Sequence, residues 1–159
     1  MGRKGIFMTI AVAALTVTML QAQEIRVPLR FDYYYSYEKM AEAMKALNKA
    51  YPELTSLDEV GRSEEGRIIW ALTINNKKTG EPLSKPGVYV DGNIHGNEIQ
   101  AGEVCLYLAN RLLTNYGKIP EITEVVDRNI FYIIPVVNVD GRAHFFDDPN
   151  TPSTNRTIR

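Results

Sequence analysis

The sequence has a single cysteine, Cys105, so no internal disulfide can form in the chain whatever compartment it occupies. Histidine is almost as scarce, with only His95 and His144. No excess of positive charge is present. Eighteen basic residues face 19 acidic ones, a net charge of −1, and no basic stripe of the kind that tracks a phosphate backbone can be drawn. Nucleic acid is therefore excluded as a partner. There is no internal repeat, no low-complexity run, and no apolar stretch of the roughly 20 residues that a bilayer span needs. At 159 residues the chain has room for one domain with a real core. Cys105 sits among apolar residues at helical spacing and reads as a small buried hydrophobe, not a nucleophile.

The longest uncharged run lies at the start. "MGRKG" carries Arg3 and Lys4, "IFMTIAVAALTVTML" follows, and Ala22 supplies a small residue at a cleavage point. This is the pattern of a signal peptide over residues 1–22. A membrane anchor is the alternative, and the run is short for one. The leader predicts export to the periplasm, cell surface or medium, with no stable membrane association after cleavage. Its removal takes away Arg3, Lys4 and no acidic residue, leaving 16 basic against 19 acidic residues, a charge of −3.

After a lead-in over residues 23–35, Tyr37, Met40, Met44, Leu47 and Tyr51 recur at spacings of three and four. They predict a helix over 37–50 with Ser36 as N-cap and Pro52 as its stop. Tyrosines 33, 34, 35 and 37 are expected to pack at its entrance, with an aromatic binding surface as the alternative. "SLDEVGRSEEGRIIWALTI" predicts two strands about a turn at 63–66. "NNKKTGEPLSKPG" reads as an exposed loop with solvated lysines. "GVYVDG" is a short strand, and residues 98–114 carry a helical stripe of Gly102, Cys105, Leu106, Ala109, Leu112 and Leu113. "NIFYIIPVVNVDG" suits a strand covered on both faces, weakened towards its end by Pro135. The order predicts an α/β domain over residues 36–159 with a mixed sheet flanked by helices.

His95 falls just past the strand at 88–91, and Glu98 opens the next helix. Ligand sites in open α/β sheets gather outside the carboxyl ends of strands. A spacing of three lets an imidazole and a carboxylate meet one ion, and such donors suit zinc. Gly92 and Gly96 are read as giving the chain freedom to bend there. The competing reading is a loop histidine beside an acid favoured by the helix dipole. His-x-x-Glu alone does not separate the two.

"GRSEEGRIIWALTI", "GNIHGNEIQAGE" and "IIPVVNVDG", in this order and spacing, resemble the zinc carboxypeptidase family, from about Tyr35 to Arg159. "HGNE" is similar to the family's regulatory and bacterial branches. Asn97 stands where the digestive branch commonly has an arginine, and Val139 where the family usually has a proline. The resemblance implies a three-layer α/β/α fold around a mixed eight-stranded sheet, incomplete in this chain. It also implies one zinc ion and removal of C-terminal residues from peptides or proteins. It makes His95 and Glu98 two zinc ligands. In "PSTNRTIR" it gives Arg159 the oxyanion role, which suits a permanently charged guanidinium, and Arg156 a neighbouring substrate-binding position. A third histidine ligand, an Asn-Arg pair for the terminal carboxylate and a catalytic glutamate have no counterparts up to residue 159. His144 is read as a loop residue, and Asp147 and Asp148 as a solvated turn. Two rival functions remain: a zinc amidohydrolase, such as a deacylase or cell-wall peptide hydrolase, and an exported binding module without catalysis.

Overall fold

A computed structural model describes residues 26–149. The expected leader over residues 1–22 and the two arginines at 156 and 159 lie outside the described residues. The first helix, α1, runs Tyr37–Ala50, with the Ser36 hydroxyl accepting from the Lys39 amide and the chain turning out at Tyr51, before Pro52. Met40, Ala41, Ala43, Met44 and Leu47 are its buried face. Among the entrance tyrosines only Tyr35 is buried; Tyr33 and Tyr34 are exposed. Tyr37 donates from its hydroxyl to the Ile68 carbonyl at 2.9 Å.

Strands β1 (Thr55–Arg62) and β2 (Ile68–Ile74) form an antiparallel hairpin with a bulge between Glu59 and Gly61. Its turn needs Gly66 at φ +80, a conformation L side chains rarely adopt. The following loop is not uniformly solvated. Lys85 reaches back to Asn75 Oδ1, the Asn76 carbonyl and Thr79 Oγ1 at 2.7, 2.8 and 2.7 Å, tying the loop to itself. Strand β3 (Gly87–Asp91) leads to α2 (Ile99–Asn115), then α3 (Pro120–Arg128), strand β4 (Ile130–Ile134) and α4 (Val139–Asp147).

Among the described residues the sheet has four strands in the order β1-β2-β4-β3. β4 pairs antiparallel with β2 and parallel with β3, so the sheet is mixed. Alternation divides its faces. Leu72 and Ile74, Val88 and Val90, Phe131 and Ile133 join one core cluster with Leu47 of α1, Leu106 of α2, Val126 of α3 and Val139 of α4. All four helices thus contribute apolar residues to this one cluster. The other face presents Tyr89 and Tyr132, cross-strand partners that are both exposed.

Two expectations are corrected. Nothing in the sequence pattern announced α3, whose nine residues fully bury only Val126. "NVDG" is no isolated turn; it begins α4. Asn138 is the cap, its side chain accepting from the Gly141 amide at 2.8 Å, and Asp140 lies in the first helical turn. His144 therefore stands in the last turn of a helix that Asp147 ends.

Cys105 is buried, as its spacing predicted, and burial first, then the charge of Asp91, pushes its thiol up to about 11. It is expected to resist a thiol-specific reagent at pH 8 in the folded protein and to react fully in denaturant. Rapid labelling of native protein would contradict that packing.

Candidate metal site

The loop from Gly92 to Glu98 carries the chain from the carboxyl end of β3 into α2. Its first residue is pinned by β4 and its extension: the Gly92 amide donates to the Ile134 carbonyl at 3.1 Å, and the Val137 amide donates to the Gly92 carbonyl at 3.0 Å. Gly92 is required for closeness. A Cβ there would stand 2.8 Å from the carbonyl carbon and oxygen of Ala101 and 3.1 Å from Cys105 Sγ. The backbone freedom expected of Gly92 and Gly96 is used instead at Asn93, at φ 55 the one described non-glycine residue with positive φ. Asparagine tolerates that region better than most residues because its side chain can bond locally.

Asn93 does so. Its Nδ2 donates to the carbonyls of His95 at 2.6 Å and Gly96 at 3.2 Å. The Glu98 amide donates to the His95 carbonyl at 3.1 Å, completing a tight turn. Glu98 is the N-cap of α2, yet its side chain caps no backbone N–H. The helix-cap explanation for this carboxylate therefore loses its hydrogen bond. Instead Glu98 Oε2 lies 3.0 Å from His95 Nδ1. Both side chains are more than half exposed, at 54% and 60%.

Two donor atoms bound to one tetrahedral zinc at about 2.0–2.1 Å stand roughly 3.3 Å apart. The His95–Glu98 pair already falls near that separation and faces solvent, so these two residues fit as two ligands of such an ion. Among the described residues no group of three or more His, Cys, Asp or Glu could hold a metal. His144 does not join the pair. Its Nε2 is 2.5 Å from Glu65 Oε1 in the hairpin turn. That contact, and then Arg67, hold the Glu65 carboxyl below its ordinary range.

The hairpin turn is latched to α4 through Asp140. Ser63 Oγ and Arg67 Nη1 each donate to Asp140 Oδ1 at 2.7 Å, and the Glu65 amide donates to Oδ2 at 3.3 Å. Burial alone would raise the pKa of Asp140, but the Ser63 and Arg67 bonds and the Glu65 amide together outweigh it and set it below the ordinary 3.8. A carboxyl with a depressed folded-state pKa adds stability above its unfolded value and loses it as pH falls through the folded one.

A family model described as zinc carboxypeptidase matches residues 40–158. The chain is 37% identical to carboxypeptidase D of Rattus norvegicus over 124 residues, covering 78% of this chain and 9% of that protein. Carboxypeptidase D of Homo sapiens is 39% identical over 109 residues, covering 69% of this chain and 8% of the relative. The crystal structure of carboxypeptidase A from Helicoverpa armigera superposes with a TM-score of 0.67 at 30% identity, covering 76% of this chain and 28% of that one. The chain thus spans less than a third of the length of each.

Two substitutions test this description. Gly92→Ala should lower stability by about 2–3 kcal/mol, the scale of overpacking against backbone, read from the urea midpoint. A change below about 0.5 kcal/mol would mean that the close approach is relieved cheaply. Asp140→Asn should cost about 1–3 kcal/mol at pH 7, since Arg67 and Ser63 lose a charged acceptor. The gap from the parent should narrow as pH falls below 3.8, the ordinary aspartate value. A pH-independent gap would show that the carboxylate is not the relevant form.

Proposed function

The chain belongs to the zinc carboxypeptidase family, and on that premise we propose that it supplies the N-terminal part of an exported, zinc-dependent carboxypeptidase that removes C-terminal residues from peptides. The observation that carries this reading is the 3.0 Å approach of His95 Nδ1 and Glu98 Oε2 on a loop at the carboxyl end of a sheet strand. His95 and Glu98 would hold the zinc ion, with a third histidine ligand to be provided by residues other than those described. Bound zinc polarises a peptide carbonyl and acidifies a water molecule, the two activations that amide hydrolysis at neutral pH needs.

The chain's own residues divide the remaining work. The Gly92–Glu98 loop presents both donors outward, where a peptide terminus has access. Arg159 would donate to the oxyanion that develops on the attacked carbonyl, and Arg156 would bind beside it on the substrate side. Guanidinium groups suit both tasks because they stay charged and offer several donors. The 159-residue chain alone is expected to turn over no peptide, because no residue in it matches the third ligand, the general base or the Asn-Arg clamp for the terminal carboxylate.

The test uses protein expressed from the whole reading frame. Peptides with a free C-terminal carboxylate should lose their last residue, and the same peptides amidated at the C-terminus should not. His95→Ala and Glu98→Ala should each lower the rate more than about 100-fold, as expected for a hydrolytic centre deprived of a ligand. Equal cleavage of amidated peptides, or a preference for acylated amino acids, would replace the carboxypeptidase reading with that of an amidohydrolase. Zinc-independent turnover would overturn it altogether.

A further inference from the structure

The candidate metal loop is braced from α4, whose Arg142 lies 49 residues beyond Asn93, and the bracing side chain has no contact with solvent. Arg142 on α4 is fully buried, at 0% exposure. Its Nη1 donates to Asn93 Oδ1 at 2.8 Å and to the Ile99 carbonyl at 3.0 Å. Its Nε donates to the Tyr35 carbonyl at 3.0 Å, and Nη2 to the same carbonyl and to Glu103 Oε1. Among these acceptors, Asn93 is the one whose side chain also hydrogen-bonds into the loop. With its oxygen held by Arg142, the amide orientation is fixed, and Nδ2 can point only towards the loop. There it meets the carbonyls of His95 and Gly96.

Space for the guanidinium is made by Gly102 of α2. A Cβ at that position would lie 2.8 Å from Arg142 Nη1 and 2.9 Å from the Pro135 carbonyl oxygen. A side chain there would displace the brace or the end of β4. The arrangement therefore needs four particular residues at once: a glycine on α2, an arginine on α4, an asparagine in the left-handed region, and a carboxylate at 103.

We infer that Arg142 and Asn93 are positioning residues for the metal loop, acting through the chain Arg142 Nη1 to Asn93 Oδ1, and Asn93 Nδ2 to the His95 and Gly96 carbonyls. Neither touches the ion or the substrate. Together they fix the backbone from which His95 and Glu98 project, so that the two donors stand at ligand separation before any ion arrives. Outer partners of this kind commonly change metal affinity by about 10–100-fold when removed. The role assigned to them rests on the metal-site reading, but the loop geometry they impose can be measured without metal.

Two variants separate the contributions. Asn93→Gly keeps access to positive φ and deletes both arms of the side chain. Asn93→Asp keeps an acceptor for Arg142 and removes the donors to the loop. Amide exchange in the metal-free protein expressed from the whole reading frame should show the Glu98 amide, bonded to the His95 carbonyl, exchanging at least about 10-fold faster in both variants. The Leu106 and Leu113 amides inside α2 should stay within about twofold of the parent. Unchanged exchange at Glu98 would overturn the inference. Equal acceleration at Glu98, Leu106 and Leu113 would also overturn it, because Asn93 would then be a general stabiliser and not a brace of the loop. As a second readout, Zn2+ titrated into the Asn93→Gly variant of the protein expressed from the whole reading frame should bind at least about 10-fold more weakly than to its parent. If the parent binds no Zn2+ in a His95-dependent way, the metal-site reading fails, while the exchange result still decides whether Asn93 braces the loop.

Discussion

A guanidinium shut away from water has to find oxygen acceptors for its donors, because an unpaired buried charge costs several kcal/mol. Arg142 meets that demand by drawing on four separate parts of the chain: the lead-in at Tyr35, the Gly92–Glu98 loop at Asn93, the start of α2 at Ile99, and its second turn at Glu103. Burial pulls its pKa down, and the charge and hydrogen bond of Glu103 oppose that shift. The Tyr35 amide also donates to Glu103 Oε1 at 3.0 Å, so the lead-in is tied to both members of the ion pair. Much of the region around the candidate site is arranged so that this one cation is satisfied. The bare approach at Gly102 and the left-handed turn at Asn93 are local conditions of the same requirement.

The sheet supplies the platform on which that network is built. β4 ends at Ile134 because Pro135 has no N–H to continue the ladder. The chain nonetheless keeps following the loop: Val137 bonds to Gly92 and Asn138 to Asn93. Parallel pairing of β3 with β4 puts the exits of both strands at the same end of the sheet. The Gly92–Glu98 loop leaves from one exit and α4 begins beyond the other. That is why an arginine on α4 can reach a loop 49 residues earlier in sequence.

Periodic features were legible from the sequence. The stripes at 37–51 and 98–114 became α1 and α2 almost to the residue, because each buries an unbroken apolar face. The hairpin followed from two strand-like runs about Ser63–Gly66, and β4 from its apolar run up to Pro135. His95 and Glu98 were legible as a pair because three residues across a loop fix their proximity locally. α3 was not, since Val126 is its one fully buried contribution to the core and a nine-residue helix with so little to bury leaves a faint pattern. α4 was hidden by "NVDG", whose residues suit a turn and a helix start equally well until the Asn138 side chain commits to the Gly141 amide. Asn93 and Arg142 were invisible for a different reason. Their significance lies in which distant oxygens and nitrogens meet them, and single-chain spacing carries no record of that.

The solvent exposure of the His95–Glu98 contact bears on how a ligand would enter. An exposed pair of this kind is worth at most about 1 kcal/mol. The backbone turn, not the attraction between the two side chains, therefore keeps them together. A cation arriving from solvent can take both donor atoms by replacing one weak, hydrated contact. No strong bond has to break and no buried group has to move. For an ion making its first contact with these two side chains, the turn demands no rearrangement of the described residues.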